Sequence, residues 1–317
     1  MSRGLGSAAV LAAVVVALGV AVLFMKRSDV YLLTLTMVYL MATLGLNLTV
    51  GYAGQMSLGQ AAFFGIGAYV AAIALKAGLP FLVVLPMAAI ACFVVGLALG
   101  FPALRVRKHY LAFVTLAFAV LCWLVFRNEQ EWTGGVMGIR DIERPTVLGL
   151  SLRNHLRFYW FVLAIAALLT LALWWILRSP WGRAFTALRE NPLRAESLGV
   201  DVRLYTLLAF ALGSAYGGLA GSLYAPLVEF IDPSPFALGP SLIFMLMVVI
   251  GGSGTFLGPF VGAAVAVLLP EWLRAWEIYY LLIYAVLVMV MMAVFPGGLV
   301  RLAGRLRAVA RPRRSAP

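Results

Sequence analysis

Gly182-Arg-Ala-Phe-Thr-Ala-Leu-Arg-Glu-Asn-Pro-Leu-Arg-Ala-Glu-Ser-Leu-Gly199 is the only long charged stretch inside an otherwise apolar chain. It reads as two short helices. Trp181, Phe185 and Leu188 fall at i, i+4 and i+7, one stripe of a first helix, with Arg183, Arg189 and Glu190 off that stripe. Asn191 suits the cap of a second helix, because its side-chain oxygen accepts a free first-turn N–H, and Pro192 suits the first helical position, where no donor is needed. Gly199 ends it as the residue that most easily takes the left-handed conformation past a helix C-terminus. The expectation is a compact amphipathic element lying against something rather than crossing a bilayer. The plain alternative is a solvated loop between two membrane helices.

Outward from this stretch the chain is apolar. Its 317 residues are 64% hydrophobic and 11% charged, with a mean hydropathy of +1.01, whereas soluble domains average roughly 25% charged. Long apolar runs recur from end to end, so the expected fold class is all-α, a polytopic integral membrane protein. A β-barrel is excluded because its strands would alternate polar and apolar. Cys92 and Cys122 both lie in apolar runs and read as core residues, with no disulfide framework or metal site expected. The net charge of +12 has no aromatic-basic soluble domain to direct it to nucleic acid, so it is read as membrane topology.

Ala8 to Met25 is an apolar run, followed by others at about 30–50, 57–75, 81–101, 109–126, 157–177, 204–225, 238–250, 256–270 and 278–295. The first is read as a membrane helix, since Phe24-Met25-Lys26-Arg27 does not resemble a small-residue cleavage site. Ten segments result. The third, eighth and ninth are short for the roughly 20 residues of a full span and are expected to be broken, tilted or partly spanning. With a cytoplasmic N-terminus and ten crossings, 15 basic and 3 acidic residues fall inside, while 9 basic and 9 acidic residues fall outside. The whole excess lies on one side, as the positive-inside rule expects, which places both termini and the segment 178–203 in the cytoplasm. The largest outer loop, 127–158, is expected to form a small cap, and Glu229-Phe-Ile-Asp-Pro-Ser-Pro-Phe236 a rigid turn.

Gly51-Tyr-Ala-Gly-Gln-Met-Ser-Leu-Gly-Gln60 and its continuation to Gly67 are rich in glycine and amide side chains and hold no charge. Unwound backbone at membrane depth is tolerated only where protein or a wet cavity surrounds it, so Gly51, Gly54, Gln55, Ser57, Gly59 and Gln60 are candidates to line a translocation path. A similar run, Gly251-Gly-Ser-Gly-Thr-Phe-Leu-Gly-Pro-Phe-Val-Gly262, adds Gly251 and Gly254, spaced like Gly51 and Gly54. Close helix packing is the alternative for both runs, and it is the preferred reading for the small-residue face Gly213, Gly217 and Gly221. No Asp, Glu, Lys or Arg lies deep within an assigned span, which disfavours coupling to an ion gradient. A phosphate-binding Gly-x-x-x-x-Gly-Lys-Ser/Thr is missing, so any ATP is expected on another subunit. No catalytic constellation stands out; a membrane enzyme would have no visible chemistry.

The motifs Gly45-Leu-Asn-Leu-Thr-Val-Gly-Tyr-Ala-Gly-Gln-Met-Ser-Leu-Gly-Gln60, Arg105-Val-Arg-Lys-His-Tyr-Leu-Ala112, Ser179-Pro-Trp-Gly-Arg-Ala-Phe-Thr-Ala-Leu-Arg-Glu-Asn191, Ala195-Glu-Ser-Leu-Gly-Val200 and Gly251-Gly-Ser-Gly-Thr-Phe-Leu-Gly-Pro259 occur together in this order. The chain thereby resembles the M-type permease subunit of bacterial branched-chain amino acid ABC importers over nearly its whole length. The resemblance implies one transmembrane permease domain, 1–317, with a coupling segment at 178–203 and a basic cytoplasmic tail at 301–317. It implies a multi-pass protein of the bacterial inner membrane. The implied partners are a homologous H-type permease, two cytoplasmic ATPases that carry ATP and Mg, and a periplasmic or lipid-anchored binding protein. In that assembly Arg183, Arg189, Glu190, Asn191, Ala195, Glu196 and Gly199 belong to the loop that docks on the ATPase. The same family includes urea and short-amide permeases, so that substrate class stays open beside branched-chain amino acids, with an ion-coupled carrier further behind.

Overall fold

The computed structural model of the chain describes residues 26–103, 108–147 and 149–273, with Val22 and scattered positions between 279 and 300. The expected segments at 8–25 and most of 278–295, the tail 301–317 and part of the Arg105 motif lie outside the described residues. Eight apolar helices fall where the remaining eight segments were read. They are α1 (Arg27–Leu46, continued by a π-turn over Asn47–Tyr52), α2 (Gln60–Lys76), α3 (Phe81–Ala103), α4 (Lys108–Asn128), α5 (His155–Arg178), α8 (Val202–Val228), α9 (Leu238–Gly251) and α10 (Gly258–Leu273). Between α5 and α8 lie the short helices α6 (Pro180–Glu190) and α7 (Pro192–Ser197).

Five of these helices are long and apolar enough to cross a membrane. The three segments expected to be incomplete are the short ones, α2, α9 and α10, with 17, 14 and 16 residues. The helices differ in how deeply they sit in the bundle. In α1 and α8 about 72% of the apolar window is buried, against 28% in α3 and 22% in α4, which turn Ile90, Val94, Phe113 and Leu121 outward as lipid-facing residues do. The central helix α8 packs on α3, α2 and α1. Its glycines permit this, because helix backbones approach closely only where no side chain intervenes. A Cβ on Gly213 would lie 2.8 Å from the Gly45 carbonyl oxygen, and one on Gly221 would lie 1.9 Å from that of Phe64. Cys92 is buried and its thiol donates to the Phe63 carbonyl, as its core reading requires.

The loops gather at two ends. At one end the 127–154 loop forms the expected cap, with a 3₁₀ turn at Gly135–Met137 and an antiparallel pair, β1 (Thr146–Val147) and β2 (Leu150–Ser151). Ile139 and Ile231 exchange backbone hydrogen bonds of 2.9 and 3.0 Å, so the cap is joined to the 229–236 turn. At the other end stand α6, α7 and the turns that follow α1 and α9.

Candidate functional site

The α6–α7 element is built from caps. Ser179 accepts from the Trp181 amide at 3.1 Å, Asn191 from the Arg194 amide at 3.2 Å, and Asp201 opens α8 by accepting from Arg203 and Leu204 at 3.0 Å each. Pro180 and Pro192 occupy the first turns of α6 and α7, and Gly199 takes φ +83° after α7. Such side chains satisfy amides that a helix start leaves free, each contributing about 1 kcal/mol. Phe185 and Leu188 are buried as expected, with Phe185 edge-on to Tyr205. Trp181 departs from its expected stripe and is 43% exposed. The reason is the turn at Ser179, which presses Gly182 onto the Leu177 carbonyl and gives the inner face to Gly182, Phe185 and Leu188. Ala195 is buried, while Arg183, Glu190, Arg194 and Glu196 face outward beside Leu193 and Leu198, which are 78% and 81% exposed.

Arg189 does not join that outward face. Its Nη1 donates to the Gly51 carbonyl at the end of the π-turn. The two glycine runs, remote in sequence, meet at this point. Asn47 Nδ2 donates to the Thr255 carbonyl at 3.0 Å, and its Oδ1 accepts from the Gly254 amide at 2.9 Å. A Cβ on Gly51 would stand 2.4 Å from that same amide nitrogen. Gly54 and Gly254 have φ of +69° and +73°. The π-turn contributes by breaking the regular ladder, leaving carbonyls such as that of Gly51 for an outside donor.

The residues read as a translocation path divide between this junction and helix packing. The chain is irregular over 53–59, where continuous helix was not expected. Gln55 is buried, its Nε2 donating to the Thr206 carbonyl at 3.0 Å and its Oε1 without a hydrogen-bond partner among the described residues. Ser57 accepts from the Gly59 amide, and Gly59 lies against Thr115. Gln60 is buried and clamps α1 to α8, donating to Ala42 at 2.8 Å and to Gly213 at 3.4 Å. Gly251 packs on Gly258 in the α9–α10 hairpin. Gln60 and Gly251 thus both make contacts between packed helices. The start of α2 is capped by other helices, Thr115 accepting from Leu58 and Ser241 from Ala61. Sequence reasoning missed Asn47, Thr115, Ser241 and Thr255; Asn47 and Thr115 had a signal, as polar side chains within apolar spans.

Residues 29–293 match the family model of the branched-chain amino acid transport system permease component. The chain belongs to this family. The permease is 35% identical over 298 residues to the "High-affinity branched-chain amino acid transport system permease protein LivM" of Escherichia coli, covering 86% of this chain and 70% of that one. Its Salmonella typhimurium counterpart is 34% identical over the same shares. The "Autoinducer 2 import system permease protein LsrC" of Salmonella paratyphi B is 28% identical, covering 73% of this chain and 68% of its own. No solved structure matches the chain.

At its opposite end the permease holds a cleft of about 770 Å³ whose wall includes Lys76, Asp141, Glu143, Arg144 and Arg153. Arg144 is buried there. Its Nε lies 2.9 Å from the Glu229 carboxylate, out of line for a hydrogen bond, its Nη1 donates to the Arg153 carbonyl at 3.2 Å, and its guanidinium covers the Phe158 ring. Glu229 reaches it from a left-handed backbone, φ +61°, that ends α8.

Proposed function

We propose that this chain is the M-type permease subunit of an ATP-driven importer that carries branched-chain amino acids into the bacterial cell. It works in the plasma membrane with a homologous H-type permease, two cytoplasmic ATPases that bind ATP and Mg, and a binding protein that delivers the amino acid outside. The observation that carries this reading is the α6–α7 element: rigidly capped, with two leucines and two glutamates turned outward and an arginine turned inward to the glycine turns. A permease without its own ATP site receives work only through such a surface. Burying each exposed leucine against a partner contributes about 1.5–3 kcal/mol, and Glu190 and Glu196 offer carboxylates to Arg or backbone N–H groups there. The charge distribution supports cytoplasmic termini, because it puts α6, α7 and both glycine turns on the basic side. The curated relatives named for branched-chain amino acids favour that substrate over urea or amides, and spans without deep charges speak against an ion-coupled carrier.

Glu196→Arg tests the docking role. The variant is expected to insert and fold normally, since Glu196 is exposed, and to lose ATPase association and amino acid uptake together. Purification with normal ATPase stoichiometry and full substrate-stimulated ATP hydrolysis would return α6–α7 to an ordinary solvated loop.

A further inference from the structure

We propose that Arg189 is a latch that makes the α6–α7 element and the glycine turns at 51–54 and 252–255 move as one body, so that a push on α7 reaches the turn after α1 and the turn after α9 together. The proposal rests on the ATP-driven reading above. Three features of the junction point to it. The Gly51 carbonyl ends a helix and a π-turn, where carbonyls lack an intrahelical partner and the helix dipole favours a cation; the Arg189 guanidinium supplies both donor and charge. The space it occupies exists only because two side chains are missing, those of Gly54 and Gly254. A Cβ on Gly254 would stand 2.0 Å from Arg189 Nη1, and one on Gly54 would stand 3.0–3.2 Å from the Arg189 Cγ, Cα and Cβ atoms. A Cβ on Gly51 would displace the Gly254 turn itself.

The two turns are also tied to each other without Arg189, by the paired hydrogen bonds between Asn47 and the Gly254–Thr255 backbone. They are tied to α8 through Thr49, which donates to Ala209 at 3.2 Å, and Gln55, which donates to Thr206. Helix α6 is the member that must connect to this set if work applied outside is to enter it. Phe185 supplies apolar contact, which is non-directional and allows sliding. The guanidinium–carbonyl bond fixes direction and register. Arg189 is therefore a positioning residue, not part of the docking face.

The test uses the full complex in lipid vesicles, the permease with its H-type companion and ATPases, and the binding protein outside. Arg189→Ala is expected to keep the ATPases bound and hydrolysing while uptake per ATP hydrolysed falls about tenfold or more, the lower end of what one lost charge-assisted hydrogen bond gives. Arg189→Lys, which keeps a cationic donor, is expected to recover most of that ratio. An unchanged ratio in Arg189→Ala overturns the latch, and so does loss of ATPase binding, which would make Arg189 an ordinary docking residue. A second measurement leaves Arg189 intact: spin labels on cysteines at Met56 and Thr186, both exposed, are expected to give one distance in the nucleotide-free and ATP-bound states. Two distances overturn the proposal even if Arg189→Ala does not fold. Failure of any ATPase to associate with the unaltered chain would instead sink the ATP-driven reading, and with it the work that the latch is proposed to pass on.

Discussion

At the end that carries α6 and α7, loops meet through backbone: the Gly51 and Gly254 turns touch at distances no side chain tolerates, and Asn47 and Arg189 bond to main-chain groups across them. At the opposite end, the cap and the 229–236 turn are joined by a short β-bridge, by the Ile142 amide donating to the Glu229 carbonyl, by Arg140 over the Phe230 ring and by the charge pair of Arg144 with Glu229. The first arrangement is close-packed, so a displacement of one part is passed to its neighbours. The second is also a backbone seam, with Gly138 close against the Ile231 carbonyl, but beside it lies a wide cleft walled by the charged side chains Asp141, Glu143, Arg144 and Arg153. The difference is the one expected of the proposed importer, driven at the end that carries α6 and α7 and open to substrate delivery at the other.

Substitutions at each end break this comparison where it is weakest. The largest effect is expected from Gly51→Ala. Its Cβ would meet the Gly254 amide, a backbone atom that cannot swing away, and overpacking of this kind costs about 3 kcal/mol or more. Thermal unfolding in detergent should drop by many degrees, and a wild-type midpoint would show that the two turns are not in contact. A middle effect is expected from Glu229→Ala, which leaves a guanidinium whose side chain is only 5% exposed without its carboxylate. Because Glu229 itself is 56% exposed, the cost should be about 1–2 kcal/mol, below that of a fully buried pair. It should exceed the cost of Arg144→Met, which leaves only the solvated partner; the reverse order would show that the pair does not hold the cap. The smallest effect is expected from Gly78→Ala. That glycine ends α2 at φ +80° with nothing near its missing side chain, so only backbone strain of about 1 kcal/mol applies.

The positions of the helices were legible because apolar run lengths and helix caps are local properties. Ser57, Gln60 and the five glycines of 51–67 marked a break, and Asn191, Pro192 and Gly199 marked the second short helix together with its ends. What the sequence could not show is which way a charged side chain points once its helix is docked. Arg189 lies one residue beyond Leu188, on the border of the buried face, and only the position of the Gly51 turn decides that it goes inward. The pairing of Asn47 with Gly254 and Thr255 joins residues more than 200 positions apart, and no local pattern encodes such a contact. Trp181 was misplaced because the turn at Ser179 sets the start of α6, and apolar spacing alone does not see that turn.

ATP, received through α6 and α7, is the proposed source of work for inward amino acid transport. The direct measurement is leucine accumulation in proteoliposomes that hold the full complex, with the binding protein outside and ATP enclosed, under conditions where proton and sodium gradients can be collapsed at will. Accumulation that requires enclosed ATP, persists after both gradients are abolished and disappears in Glu196→Arg is the predicted result. Accumulation that follows an ion gradient and ignores ATP would contradict it.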